Sequence, residues 1–385
     1  MTERLYYHDS RLLEFDARVV ERSDDGRRVY LDRTAFYPTS GGQPFDTGML
    51  GGVQVMEVVD EDERIAHLLA APLRAEQVRG RIDAGRRFDH MQQHTGQHLL
   101  SAVFVEMLKA PTLSFHLGAE SCTIDIGVAA LAPEQIRAVE RRANEMVFEN
   151  RPVAISFEHA SEATDLRKPS ARGGEIRIVA IEGLDRRACG GTHVRSTSEI
   201  GPILIRRLER IRGNVRVEFV CGLRALDRAR KDYEALSAAA RAFSSPLDEA
   251  PARVAALTTA LQESEKARGK LAGALARAEG RQLYSETQAD AEGRRSVVRA
   301  VAAIDDDVRA MAQGFTSGEK ARFIAIAENP PAILLAVSGD LGVHAGNELK
   351  PLLAEAGGRG GGNVTLAQGS VPDAGKLAAV IAKLS

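Results

Sequence analysis

Two short segments, far apart in the chain, constrain its fold more than any other feature. The first, HTGQH, places His94 and His98 four residues apart; the second, CGGTH, gives Cys189 and His193 the same separation. On a helix, residues four apart share a face, so the two histidines point the same way and lie close enough to reach one ion. In the second segment Gly190 and Gly191 let the backbone turn tightly, and the cysteine supplies a thiolate. Each half alone is weak evidence, because a helical histidine pair is more often an accident of surface or core. Together they form a set of nitrogens and one sulfur, which suits zinc, one ion per chain, over the oxygen-seeking calcium and magnesium. Sharing an ion requires a fold that carries both segments to one point. His90 lies near the same helix face, but its rise to His98 is about 12 Å, too far for both to serve one ion. We therefore read His90 as a supporting, partner-facing or solvated group. A closed set of four protein ligands is usually structural, so a catalytic site would need one ligand, Cys189 most readily, to yield.

The chain has 385 residues, enough for two to four domains with real cores. Its formal net charge of −2 neither demands nor excludes a nucleic-acid partner, so any such surface must come from local arginine clusters. Cys122, Cys189 and Cys221 are too few, and odd in number, for a disulfide framework. The N-terminus lacks an apolar signal region, and no later stretch resembles a membrane span, so we expect a cytoplasmic protein without a membrane partner.

The expected class is α+β. Residues 1–87 alternate short strand-forming runs with turns such as SDDG and TSGGQPFDTG, the pattern of a small β-barrel. Residues 88–222 read as a mixed α+β domain around the metal site. Its first helix is expected from Phe88, capped by Asp89 and continued by Leu99, Val103 and Leu108; a second begins at Pro133. Residues 223–289 read as a helical arm, with Leu257, Leu261, Leu271 and Leu275 at helical spacing and the seam interrupted by Ser264 and Arg268. That arm is either an intramolecular linker or, with the C-terminal domain, a surface for homodimerisation. Residues 290–385 read as a small α/β domain with a glycine-rich loop, GGRGGGNVTLAQGS.

These residues resemble the alanyl-tRNA editing proteins in their long form, which are related to the editing and C-terminal domains of alanyl-tRNA synthetase. The likeness is carried by RTAFYPTSGGQPFDTGML, MQQHTGQHLLSA, CGGTHVRSTSEIG and the C-terminal glycine segment; Ser198 departs from the glycine that the family often has there. The resemblance implies zinc on His94, His98, Cys189 and His193. It also implies hydrolysis of the ester in Ser-tRNA(Ala), with Gly-tRNA(Ala) as a second substrate and Ala-tRNA(Ala) spared. Discrimination of this kind is physically reasonable where a pocket hydrogen-bonds the serine hydroxyl. Gln97, Ser114 and His116 are candidate polar groups for that pocket. For Ser114 and His116, simple alternation along a half-exposed strand is an equal reading.

For the tRNA partner, the resemblance implies that Thr34, Gly41, Gly42, Gln43 and Asp46 form a loop near the pocket or acceptor end, whereas the glycines read alone would simply shape a β-turn in the barrel. Arg206, Arg207, Arg210, Arg212 and Arg216 cluster in a hairpin expected to turn at Gly213-Asn214, and could track phosphates or line a solvated sheet face. Arg359, in the loop from Gly357 to Gly362, is a further phosphate candidate. Two other functions stay open: a zinc-stapled tRNA-binding module without catalysis, and editing of Ser-tRNA(Thr). A complete ligase is not expected, since no ATP-dependent activation domain is found in the sequence.

Overall fold

The N-terminal strands pair mostly with one another. Glu14–Arg22, Arg28–Leu31, Arg64–Leu69, Val53–Glu61, Gly48–Leu50 and Gln77–Ile82 follow in that spatial order, each antiparallel to the next, and the last returns to the first to close a barrel. Alternation fills the interior with Phe15, Val29, Leu31, Val55, Val58, Ile65, Val78 and Ile82. Gly80 is needed where it stands, because a Cβ there would lie 2.3 Å from the Phe15 ring. The computed structural model describes residues 1–163, 166–167 and 174–384. These form two units, Met1–Ala238 and Ala239–Ser385.

The barrel shares its unit with the metal-site region. Helix α1 (Ala84–Leu108) begins four residues before the expected start. Asp83, not Asp89, is its cap, accepting a hydrogen bond from the Arg86 N–H at 3.1 Å. The first turn, Ala-Gly-Arg-Arg, carries no apolar periodicity and so gives no signal in sequence. Asp89 instead pairs with Arg224 at 2.6 Å. From His90 to Phe104 every residue of α1 is buried. A helix buried all round is normally apolar; this one carries glutamines, a threonine and histidines, and most of their polar atoms are satisfied from neighbouring elements. Gln93 donates to the Cys221 carbonyl and accepts from the Cys221 N–H, and Gln92 donates to the Glu199 carbonyl. Gly96 permits the approach: a Cβ there would meet Cys221 Sγ at 2.3 Å.

Around α1 pack helix α2 (Pro133–Phe148) and the antiparallel sheet Ile203–Ile211, Asn214–Cys221, Cys122–Ile126, Thr112–Leu117. Their shared core includes Leu99, Val103, Phe104, Ile124, Val139, Met146, Val217 and Phe219. A second sheet, Val153–His159, Glu175–Ile181 and Asp185–Ala188, brings the Cys189 segment to the helix. The arginine hairpin turns at Arg212-Gly213, one residue earlier than expected, with both residues at positive φ (48° and 81°).

The expected arm is helix α3 (Gly222–Ala242) followed by helix α4 (Ala250–Glu286), and the division between the units falls inside α3. Leu257, Leu261, Leu271 and Leu275 are all exposed. In the second unit, α4 crosses helix α5 (Asp306–Phe315) at glycines: a Cβ on Gly280 would meet the Met311 carbonyl, and one on Gly314 the Arg277 carbonyl. The sheet here runs Arg295–Val301, Ala321–Glu328, Pro331–Val337, Leu366–Ser370, Arg359–Gly362, parallel only in its first pair. Helices α6 (Ala345–Glu355) and α7 (Ala374–Leu384) cover one face and α5 the other. The glycine-rich segment, expected as a loop, is an edge strand from Arg359. Its glycines serve packing, since a Cβ at Gly360 would lie 2.4 Å from Leu353.

His67 is wholly buried in the barrel. Its Nδ1 faces the Val29 carbonyl at 3.2 Å and its Nε2 the Thr34 hydroxyl at 2.9 Å, a pairing suited to the neutral ring. Burial pushes its pKa down to about 4. The unfolded chain therefore binds the proton first, so this stabilisation is complete above about pH 6.5 and is lost as pH falls toward 4, an effect of about 3 kcal/mol. We predict that wild type loses about that much more stability than His67→Gln in urea titrations between pH 7 and pH 4; equal losses would contradict it.

Candidate metal centre

Ligand-capable atoms of His94, His98, Cys189 and His193 all lie within 4.8 Å of one another. Cys189 Sγ is 3.5 Å from His94 Nε2 and 3.3 Å from His193 Nε2. Ligands held tetrahedrally at ordinary zinc distances would stand about 3.3–3.8 Å apart, so the cluster has the dimensions of a metal site. His90 lies outside it, as the helix rise requires. It is buried, not solvated, and its Nδ1 has no partner among the described residues.

The local sequence explains the convergence. The α-helical period brings His94 and His98 onto one side of α1, and Gly191 allows the CGGTH turn to lie against them: a Cβ there would be 2.2 Å from the His94 ring. Each imidazole also has a group on its outer side. His94 Nδ1 lies 2.8 Å from Gln43 Oε1 and His193 Nδ1 lies 3.1 Å from Thr95 Oγ1. His98 Nδ1 lies 3.4 Å from Asp185 Oδ2, in ion-pair range but without hydrogen-bond geometry. Such partners select the tautomer with its proton on Nδ1 and leave Nε2 free to bind a metal.

The electrostatics agree with this arrangement. Burial pushes His193 down to about 3 and also lowers His94. Burial would lower His98 too, but the Cys189 thiolate and Asp185 outweigh it and raise its pKa. Burial disfavours the Cys189 thiolate, yet the surrounding histidines draw its pKa well below the ordinary value. Burial likewise opposes charge on Asp185, but the His98 ring that faces it and the hydrogen bonds from Arg167 hold that carboxyl down at about 2. The other cysteines play no part here; burial pushes Cys122 up to about 12 and raises Cys221 as well.

The other sequence candidates fall in several places. Gln43 is buried, accepting from the Thr192 N–H as well as standing behind His94. Asp46 is buried against Arg87, and Thr34 against His67, so neither meets solvent. Gly41 and Gly42 are exposed at the loop tip, with the Gly42 carbonyl accepting from the Leu117 N–H. Gln97 points along α1 to Ser101. The pleat of Thr112–Leu117 turns Phe115 toward His94, with ring centroids 5.4 Å apart, and places Ser114 and His116 on the exposed face. Ser114 donates to Asp125, which also holds Arg216, and Arg206 pairs with Asp232. Arg207, Arg210, Arg212 and Arg359 are exposed.

Sequence reading missed Thr95, Phe115 and Asp185. Strand alternation back from Cys189 could have indicated Asp185, since residues at 185, 187 and 189 share one face. We predict that Asp185→Asn, which keeps the shape but removes the charge, weakens metal binding about 10- to 100-fold in competition with a chromophoric chelator. Unchanged affinity would show that Asp185 does not support His98.

Residues 176–218, the stretch that contains Asp185, Cys189 and His193, match the family described as the threonyl and alanyl tRNA synthetase second additional domain. Alanine–tRNA ligase of Pyrococcus abyssi is 33% identical over 392 residues, covering 97% of this chain and 42% of that protein. The Pyrococcus furiosus ligase is 34% identical over 400 residues, covering 100% of this chain and 43% of its own length. The chain thus spans about two fifths of the length of these relatives. A solved C-Ala domain of Aquifex aeolicus alanyl-tRNA synthetase overlaps 23% of this chain and 84% of its own, at 19% identity and a TM-score of 0.21, too low to bear on the fold. With one third identity sustained over nearly its whole length, the chain belongs to the proteins related to alanyl-tRNA synthetase.

Proposed function

We propose that this chain is a cytoplasmic trans-editing hydrolase that removes serine, and secondarily glycine, from mischarged tRNA(Ala). The observation that carries the reading is the unequal exposure of the cluster: His94, His98 and His193 are buried, whereas Cys189 is only partly so. An incoming ester would reach the centre past Cys189. The donor set of three imidazoles and a thiolate fits zinc, which when bound would supply Lewis acidity toward an ester carbonyl or water. The chain's own contribution is to hold the site. Gln43, Thr95 and Asp185 orient the histidines, while Phe115 lies beside His94 and restricts solvent there.

The tRNA itself is assigned to cationic groups that remain available at the surface. Arg207, Arg210 and Arg212 on the hairpin are exposed, and no ion pair engages them among the described residues. Arg359, exposed on the edge strand of the second unit, is a further phosphate contact. Among the described residues, no helix is long and apolar enough to cross a membrane.

Four protein ligands favour a second reading, in which the metal staples a tRNA-binding module. Purified protein challenged with Ser-, Gly- and Ala-tRNA(Ala) and Ser-tRNA(Thr) separates the readings. The expected result is deacylation of Ser-tRNA(Ala) at about 10²-fold or more over Ala-tRNA(Ala), lost in His94→Ala and after metal removal while circular dichroism stays native. Equal rates on the serine and alanine forms would refute editing. Absent wild-type turnover, combined with unfolding on metal removal, would establish the staple, and preference for Ser-tRNA(Thr) would reassign the substrate.

A further inference from the structure

The strand Asp185–Ala188 runs antiparallel to Glu175–Ile181, and Cys189 prolongs the pairing by donating its N–H to the Arg177 carbonyl at 3.1 Å. Strand alternation therefore puts Asp185, Arg187 and Cys189 on one face. The two outer residues both reach the metal cluster: Asp185 stands behind His98, and Cys189 lies against His94 and His193. Arg187 stands between them on that face, two residues from each.

Arg187 is unusual among the partly buried arginines of this unit. Arg4 pairs with Asp60, Arg87 with Asp46, Arg167 with Asp185 and Arg224 with Asp89, while Arg177 donates to the carbonyls of Tyr7 and Cys189. Arg187 is partly buried but, among the described residues, makes no hydrogen bond, ion pair or ring contact. Its neighbour Asp185 does not serve it, since both carboxylate oxygens are engaged by Arg167 and one also faces His98. Its guanidinium nitrogens are not among the buried atoms left without a partner, so the group reaches solvent as an uncommitted cation beside the cluster. The matching ligand is an oxyanion that accepts from the planar fork, and phosphate fits best. The ammonium of an aminoacyl group is excluded from this position by like charge.

Resting on the editing reading above, we propose that Arg187 receives a phosphate oxygen of the tRNA acceptor 3′ end and so positions the ester at the metal cluster. Arg187 is a substrate-binding residue and not a metal ligand, which separates its effects from those of Asp185.

The test uses the full, metal-loaded chain and a fluorescently labelled, uncharged tRNA(Ala) acceptor minihelix ending in CCA. Arg187→Gln is expected to raise Kd roughly tenfold and to reduce the slope of log K against log salt by about 0.7, the contribution of one single-strand phosphate. Arg187→Lys should recover part of the affinity and all of the salt slope. Metal content and Tm should match wild type, and in turnover KM should rise while kcat holds. Normal wild-type binding with an unchanged Kd and slope in Arg187→Gln would overturn the assignment alone. So would a fall in kcat at constant Kd, which would place the group at the reacting carbonyl, or a loss of metal or Tm, which would make it structural. Failure of wild type to bind the minihelix would instead overturn the tRNA reading and this proposal with it.

Discussion

The geometry of the metal centre depends on a salt bridge well away from it. Arg87, in the first turn of α1, donates to Asp46 at 2.5 Å, with side chains 1% and 0% exposed. Two further guanidinium donors go to the carbonyls of Ser10 and Ala35, and Asp46 also accepts from the Tyr37 N–H. A buried pair of this kind adds little net stability, but breaking it strands a charge, at about 3–5 kcal/mol. Its role is to specify one arrangement: the barrel loop from Thr34 to Gly48 is locked to the ligand helix. Gln43, three residues before Asp46, is thereby held behind His94. The barrel and the helix share one unit because these contacts leave neither complete alone.

From that anchor the site is assembled by polar side chains buried on all sides of α1. The histidines are held by unlike partners, an amide at His94, a hydroxyl at His193 and a carboxylate at His98. The carboxylate, fixed by Arg167, faces His98 with its charge, whereas His94 and His193 are held by hydrogen bonds. Cys189 is the partly exposed member, and Arg177 bonds its carbonyl, not its sulfur. The centre is thus rigid on its helix side and accessible on its CGGTH side, as expected if a substrate arrives past the thiolate.

Several residues picked for their chemistry are placed by the fold facing away from the cluster or against buried partners. Ser114 and His116 are polar residues near the ligand helix in sequence, yet the pleat gives the inward position to Phe115, an apolar residue with no chemical signature. Thr34 and Asp46 sit in a loop rich in turn residues, but both are consumed by buried partners. Near the C-terminus, glycines that suggested a phosphate-binding loop build an edge strand that packs closely on Leu353. In each case residue type alone does not distinguish ligand contact from packing.

The sequence by itself singled out the four residues of the cluster, because helix periodicity and a tight glycine turn are local rules that pair His94 with His98 and Cys189 with His193. It also indicated the strand-rich N-terminal barrel, the helix that carries both histidines, and the exclusion of His90 from the cluster by the rise of a helix. Only the tertiary structure decided what stands around those ligands. Asp185 behind His98, Gln43 behind His94 and the unpaired Arg187 between Asp185 and Cys189 come from elements distant in the chain, or from a strand whose facing is set by its partner. Such contacts carry no local pattern, since they are fixed by which surfaces must be buried together and which polar groups must then find partners.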